Sequence, residues 1–404
     1  MSQENDIALG DLARVGRGTP GGTWLRCYWF PVARSEDLRD TPMAVKVLGE
    51  ELVLFRDGRG RPGLLGLHCP HRGTSLEYGD IEPEGLRCCY HGWLFDIHGQ
   101  CLEQPGEPPG STFYRKVRHL AYPVQELGGL LFAYLGAGTP PPLPRYRPLV
   151  DHSGQRRLEP VRYMNYNWFN FWENGADPVH LWVLHRQSGY GQGSWGNAFF
   201  DHANPPHWRP VETEWGLQIV MTKPGPTPDT EFVDTFCIAF PSIIQVGDTE
   251  FAHLKLDEAT TAHSNNDHFL FLTPQDDEHF MIFTVDHYTG PDPDFFEKLQ
   301  HMRAQERPQP AREHDHRKYA AFRGVIRLED LVAQSTQGPL WERRERLGVE
   351  DRGVILLRKM VREAIQAAIR GERPRGVLSW EEADRVIDLG SFVGLRPRAQ
   401  AVHP

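Results

Sequence analysis

An α+β chain of two domains is the fold this sequence predicts, on three observations. Its 404 residues exceed the usual size of a single hydrophobic core. Its first third breaks into short apolar runs separated by glycine turns, and the remainder mixes strand-like and helical patterns. The composition, 39% hydrophobic with 24% charged, is that of a chain that folds, and excludes disordered or fibrous classes.

From Trp24 to about Leu135 the runs Val45 to Leu48, Leu52 to Phe55 and Leu130 to Leu135 alternate with turns such as Asp57-Gly58 and His98-Gly99. This is the pattern of an all-β unit built from hairpins. The stretch Gly136 to Pro148, with Pro140-Pro141-Pro142, reads as a stiff connector. The expected division is a segment 1–21, a first domain 22–140 and a second domain 150–395.

In the second domain a helix is expected over Asn174 to His185. Strands are expected at Leu217 to Thr222, Phe232 to Phe240, His268 to Thr273 and His279 to Tyr288, in one antiparallel sheet. Val354, Leu357, Met360, Val361, Ala364, Ile365 and Ala368 recur at helical spacing with Gly371 as the stop. That helix should pack on the sheet. The Arg-rich stretch Arg303 to Arg327 reads as a solvated face.

A net charge of -10 argues against nucleic-acid binding, which needs a concentrated excess of Lys and Arg. No stretch approaches the ~20 apolar residues of a membrane span, and the start lacks a basic region followed by an apolar core. A cytoplasmic location follows as the expectation. The six cysteines should then be reduced, with Cys27, Cys101 and Cys237 packed as isolated thiols.

Two constellations carry chemistry. Cys69-Pro70-His71-Arg72-Gly73 and Cys88-Cys89-Tyr90-His91-Gly92-Trp93 each supply a cysteine and a histidine. A Rieske centre has one iron on two thiolates and the other on two imidazoles, so one Cys and one His from each of two adjacent loops is what it needs. Neutral imidazoles lower the cluster's negative charge and raise its potential. A Cys2His2 zinc site is the alternative, although zinc sites favour C-x2-C or H-x3-5-H pairs. The spacing leaves Cys88 and Cys89 both open.

The second constellation is Asp177-x2-His180-x4-His185. Two histidines with a distant carboxylate form a facial triad that leaves positions on iron open. The H-x4-H spacing recurs at His202/His207 and His263/His268, so alone it is weak. On an ideal helix His180 and His185 stand roughly 140° apart, so a distortion or a helix end is expected between them. Asp177 can cap a helix whose first turn holds Pro178. Candidates for the carboxylate are Asp286, Asp292, Asp294, Asp315, Asp330 and Asp351.

With these motifs the chain resembles the Rieske non-haem iron oxygenase α subunits, whose pattern is C-x-H, 15 to 17 residues, then C-x-x-H continuing as Tyr-His-Gly-Trp. Their catalytic domain carries Asn-x2-Asp-x2-His-x4-His, which Asn174, Asp177, His180 and His185 reproduce. The resemblance runs from Trp24 through the C-terminal helix. It is greatest to the phthalate-dioxygenase-like and O-demethylase-like branch, by Cys-Cys-Tyr-His-Gly-Trp and by Gln337 to Arg343, where that branch often has Asp-Arg and this chain Glu342-Arg343.

The resemblance implies an all-β Rieske domain followed by a helix-grip-like catalytic domain. It assigns a [2Fe-2S] cluster to Cys69, His71, Cys88 and His91, and mononuclear Fe(II) to His180, His185 and Asp330, the last in the acidic pair Glu329-Asp330. The implied activity is hydroxylation of an aromatic substrate with O2, either as cis-dihydroxylation or as monooxygenation leading to dealkylation. Electrons would come from NADH through a separate flavin and iron-sulfur reductase, or through a ferredoxin. In a homotrimer, or a multiple of it, Asp177 would bridge a cluster histidine of one chain to His180 of the next. The alternative function is a Rieske ferredoxin-like electron carrier with a non-catalytic second domain. The substrate pocket is expected on the Phe- and Ile-rich sheet between Phe232 and Tyr288.

Overall fold

The computed structural model of the chain describes residues 7–186, 202–247, 266–305 and 324–398. The early apolar runs form two four-stranded antiparallel sheets. Met43–Val47, Glu50–Arg56, Pro62–Gly66 and Ala121–Tyr122 make one, and Asp80–Glu82, Gly85–Arg87, Leu94–Phe95 and Cys101–Glu103 the other. The first hairpin turns on Leu48 and Gly49, both at positive φ (50° and 82°), the pair of conformations a two-residue turn needs to match strand twist. Val53, Phe55, Leu65, Leu86 and Phe95 fill the space between the sheets, each fully buried and each contributing roughly 1.5–3 kcal/mol.

A third small sheet, Trp29–Arg34 with Leu130–Tyr134 and Val124–Leu127, joins this unit to the rest of the chain. Its Phe132 packs edge-on against Phe271, 5.8 Å between ring centres. Leu130–Tyr134 is therefore covered on both faces, which is why that run shows no polar alternation.

The second part is built on a nine-stranded antiparallel sheet. Its main path runs Gln155–Leu158, Phe280–Tyr288, Asn266–Pro274, Ile243–Gly247, Thr230–Ala239, Gly216–Pro224 and His207–Glu212. Arg162–Met164 pairs Phe280–Tyr288, and Phe392–Pro397 pairs Thr230–Ala239. On the face away from Phe132, Trp24, Trp168, Trp172 and Phe240 form one aromatic cluster with ring centres 5.4–6.3 Å apart.

The C-terminal helix, Arg352–Ile369, buries Val354, Leu357, Met360, Val361, Ala364 and Ile365 as the spacing required, and Gly371 follows it at φ 72°. It is tied to the helix Trp168–Asn174 by a buried ion network. Glu173 accepts from Arg358 at 2.7 and 2.9 Å and from Arg343 at 2.5 Å. Removing one member of such a network costs roughly 3–5 kcal/mol. This gives the Gln337 to Arg343 stretch a structural purpose.

Two expectations are corrected. The helix over Asn174 to His185 is two helices, Trp168–Asn174 and Val179–Val183, because Pro178 lacks an N–H and disfavours helical backbone at Asp177. The connector Gly136 to Pro148 ends in structure, with Arg145–Tyr146 pairing in parallel with Val386–Ile387 before a helical turn, Arg147–Val150. Of the Arg303 to Arg327 stretch, 306–323 lie outside the described residues, as does Asp315, while Arg327 borders a cavity with its side chain 35% exposed. Among the described residues no helix is long and apolar enough to cross a membrane.

Candidate metal centres

The two Cys-His motifs lie on matching loops. In the first, Cys69 N–H donates to Thr74 O and Gly73 N–H to Cys69 O, each at 2.8 Å. In the second, Cys88 N–H donates to Trp93 O at 2.9 Å and Gly92 N–H to Cys88 O at 3.0 Å. Gly73 and Gly92 stand at φ 79° and 72°, so both loops need the left-handed turn that glycine supplies. Cys69 and Cys88 are buried against one another, whereas Cys89 is exposed. The rings of His71 and His91 meet edge-on at 4.5 Å, and His71 stacks on Trp93 at 4.5 Å.

The two loops thus bring together two buried thiols and two imidazoles. Burial, with the neighbouring Cys88 thiol adding to it, pushes the Cys69 thiol up to about 12. Such a thiol becomes a thiolate only beside a strong cation, as in a metal cluster. The donor set therefore fits an iron-sulfur centre with one Cys and one His from each loop.

The second centre lies between the helices Val179–Val183 and Ile326–Ser335. Val179–Val183 ends between the two histidines, as the 140° offset required. Leu184 N–H bonds to His180 O at 2.7 Å and His185 N–H reaches the same carbonyl at 3.3 Å. This widened last turn swings His185 round until the two rings stand 5.2 Å apart. Asp330, on the helix Ile326–Ser335, completes the group. His180, His185 and Asp330 each offer an atom within 4.8 Å of the others.

Both imidazoles are held by Nδ1. His180 Nδ1 donates to the Asp177 carbonyl, and His185 Nδ1 to Glu329 Oε2 at 2.8 Å. Each ring thereby turns Nε2 toward Asp330. His185 Nε2 is 3.3 Å and His180 Nε2 4.0 Å from Asp330 Oδ1. Ligands about 2.1 Å from a divalent ion and at right angles stand about 3 Å apart, so the group fits a facial triad after small shifts.

The two imidazoles titrate in opposite directions. Burial lowers His180 despite the nearby carboxylates. His185 is likewise penalised by burial, but Asp330 and Glu329 together push it up to about 9. Those histidines in turn hold the Asp330 carboxyl below its ordinary range against the effect of burial.

The remaining candidates are placed elsewhere. Asp177 Oδ1 accepts from Val179 N–H at 2.9 Å, the capping geometry expected of it. Asp286 pairs with His268, Asp292 with Lys298, and Asp351 Oδ2 accepts from Gly348 N–H. His202 and His207 are exposed, and His263 lies outside the described residues. Two participants escaped the sequence reading. Glu329 was visible only as half of an acidic pair. Asn174, known from its motif position but given no task, reaches His180 Nε2 at 3.3 Å and Asp330 Oδ1 at 3.4 Å.

The three groups open onto a cavity of about 170 Å³. Phe236, Ile244, Val246 and Leu270 form its sheet wall, within the Phe232 to Tyr288 region expected, and Phe171 and Leu181 face them from the helices.

Known proteins can now be compared with this arrangement. Residues 28–123 match the Rieske [2Fe-2S] domain family. The chain is 49% identical to the phenoxybenzoate dioxygenase α subunit of Ectopseudomonas oleovorans, over 43% of its own length and 46% of that protein's. It is 43% identical to the 5,5'-dehydrodivanillate O-demethylase oxygenase subunit of a Sphingobium strain, over 46% and 43%. The chain thus spans less than half the length of these curated relatives.

The fold is similar to the QL mutant of NdmA of Pseudomonas putida CBB5 with caffeine, at TM-score 0.65 and 20% identity over 94% of this chain and 98% of that one. Dicamba monooxygenase bound to dicamba gives TM-score 0.64 at 19% identity over 86% and 99%. Fold and loops together define a Rieske [2Fe-2S] protein with a second, sheet-and-helix domain. Residues 28–123 are thus a Rieske [2Fe-2S] domain, and the chain is similar over part of its length to oxygenase subunits.

Proposed function

We propose that the chain is the terminal oxygenase of a multicomponent system that hydroxylates an aromatic substrate with O2. The observation that carries this reading is the convergence of His180, His185 and Asp330 on an apolar cavity, with both histidines fixed through Nδ1. The names of the curated relatives, dioxygenase and O-demethylase subunits, support it. In this reading a unit over 22–140 holds the [2Fe-2S] cluster on Cys69, His71, Cys88 and His91. A unit over 150–395 holds mononuclear Fe(II) on His180, His185 and Asp330.

When bound, the two centres supply one-electron transfer and O2 activation; the chain's residues do the rest. Glu329 and the Asp177 carbonyl orient the imidazoles. The apolar walls exclude water, so that the reducing power is spent on a bound ring and not on peroxide. Electrons come from NADH through a separate flavin and iron-sulfur reductase, or through a ferredoxin. The cysteines stay reduced in the cytoplasm, where we place the protein. In a homotrimer the exposed His71 and His91 edge of one chain meets Asp177 of a neighbouring copy.

Counting iron tests this against the electron-carrier reading: about three per chain for the oxygenase and about two for a carrier. Asp330→Ala should lose the third iron and all product formation while the cluster remains reducible. Turnover is sought by following NADH and peroxide against aromatic acids, ethers and heterocycles. Retention of three irons and of product in Asp330→Ala would overturn the assignment.

A further inference from the structure

A third segment packs against the first centre. The strand Cys101–Glu103 pairs with Leu94–Phe95 and so extends the sheet that carries the second loop. Arg87 braces the two, donating from Nη1 to Gly92 O and from Nη2 to Glu103 Oε2. Past the strand, Pro105 lies against Gly92, its Cγ 3.0 Å from where a β-carbon on that glycine would stand. Phe113 meets Trp93 edge-on at 6.1 Å. Residues 101–113 thus wrap the second loop, and Cys101, wholly buried, shares one core with Cys69, Cys88 and Trp93.

This segment buries an amide that bonds to nothing. Gln104 is 7% exposed, and among the described residues neither its Nε2 nor its Oε1 has a hydrogen-bond partner. A buried amide left unpaired is destabilising, so Gln104 calls for a partner other than the protein's own atoms. Its near neighbour is Cys101. Burial keeps that residue a neutral thiol, although the Glu103 backbone and the Gln104 amide beside it act the other way. The Cys101 S–H reaches only Glu103 O, at 3.6 Å, and a thiol is a weak donor. Cys101 is also, with Cys88, one of the two thiols whose charge bears on Cys69. Gln104, Cys101 and the cluster ligand Cys69 are therefore successive neighbours.

We propose that Gln104 and Cys101 are hydrogen-bond donors to the sulfur of the [2Fe-2S] centre on its Cys69 side, and that they set its reduction potential. Bound to iron, Cys69 is a thiolate, so it and the cluster's sulfides are anionic acceptors in a protein interior. The reduced cluster carries one more negative charge than the oxidised one. Donors beside it favour the reduced form and raise the potential. The step is the gain of one electron by the cluster, and the S–H and N–H protons stay on their donors. The proposal rests on the cluster assignment and is independent of the second centre.

The full chain with its cluster is titrated reductively with redox mediators, the cluster being followed by visible absorption and EPR. Gln104→Leu and Cys101→Ala should keep the wild-type iron and sulfide content. Combined, they should lower the equilibrium constant for reduction about tenfold, a fall of about 59 mV for one electron. Cys101→Ser, which restores a donor, should recover most of the loss seen in Cys101→Ala, an effect that repacking alone would not produce. If a variant does not assemble its cluster, the wild-type chain grown with glutamine isotopically labelled at the amide nitrogen carries the test. Pulsed EPR of its reduced cluster should show a weak coupling to one such nitrogen. Wild-type potentials in the variants, or no coupling to labelled glutamine, would overturn the proposal and leave Gln104 paired with an internal water. Failure of the wild-type chain to assemble any [2Fe-2S] cluster would overturn the cluster assignment together with the proposal.

Discussion

Glu329 Oε2 lies 2.8 Å from His185 Nδ1, while the next residue, Asp330, stands 3.3 Å from Nε2 of the same ring. Two consecutive carboxylates thus take the two nitrogens of one histidine. The first fixes the ring and the second shares its ligand edge. Glu329 is itself held by the N–H of Gly324 at 3.2 Å. Glu329→Gln keeps the volume and loses the charge, so Fe(II) or Co(II) affinity should fall roughly 10–100-fold with the cluster spectrum unchanged. Anaerobic metal titration measures this, and unchanged affinity would show that packing alone orients His185.

The loop geometry separates the two adjacent cysteines. Replacing Cys69, Cys88 or His91 should abolish the Rieske absorption and EPR signals while Fe(II) still loads at the second centre. Cys89→Ser should leave both signals intact, since that side chain points to solvent. A lost cluster in Cys89→Ser would reverse the choice between Cys88 and Cys89.

Asp177 has two competing roles that one substitution distinguishes. Its carboxylate caps Val179 N–H, and Asn caps about as well as Asp, so Asp177→Asn should change stability by less than about 0.5 kcal/mol. If Asp177 also bridges copies of the chain, the variant should keep both metals yet lose most coupled turnover. Mixed oligomers of Cys69→Ser and Asp330→Ala chains should regain part of the activity that each lacks alone. Full turnover in Asp177→Asn would reduce Asp177 to a cap.

Asp276 joins the first unit to the large sheet. Its Oδ2 lies 2.7 Å from Lys46 Nζ, and Leu48 and Gly49 donate to the carbonyls of Pro274 and Gln275 beside it. Partial burial works against the ion. Lys46, the N–H of Glu278 and His279 outweigh it and hold the carboxyl at about 2, below its ordinary value near 4. The folded-state value is lowered, so this stabilisation is complete above about pH 4 and disappears as the pH falls through about 2. The pair is partly solvated, so after screening it contributes about 1 kcal/mol. Urea unfolding of wild type and Lys46→Ala should therefore differ by that amount at pH 6 and converge near pH 2. A constant difference across the range would contradict it.

Much of this protein was legible in its sequence because the signals were local. Loop spacing alone marked Cys69, His71 and His91, and helical geometry alone called for a distortion or a helix end between His180 and His185. Side-chain periodicity located the C-terminal helix and four strands of the large sheet. Other strands, among them Ile243–Gly247 and Phe392–Pro397, were too short or too mixed in pattern to stand out, and exist because neighbouring strands offer them hydrogen bonds.

What only the tertiary structure decided is long-range. Spacing left Asp330 one acidic residue among six, singled out only by resemblance, until the fold carried it across 145 positions to His185. Asp286 was another of the six, and its register opposite His268 assigns it to a different partner. Spacing left Cys88 and Cys89 equivalent, and burial distinguishes them. A residue's type and its near neighbours set what chemistry it can do. Which distant residue it meets is set by packing, and packing is a property of the whole chain at once.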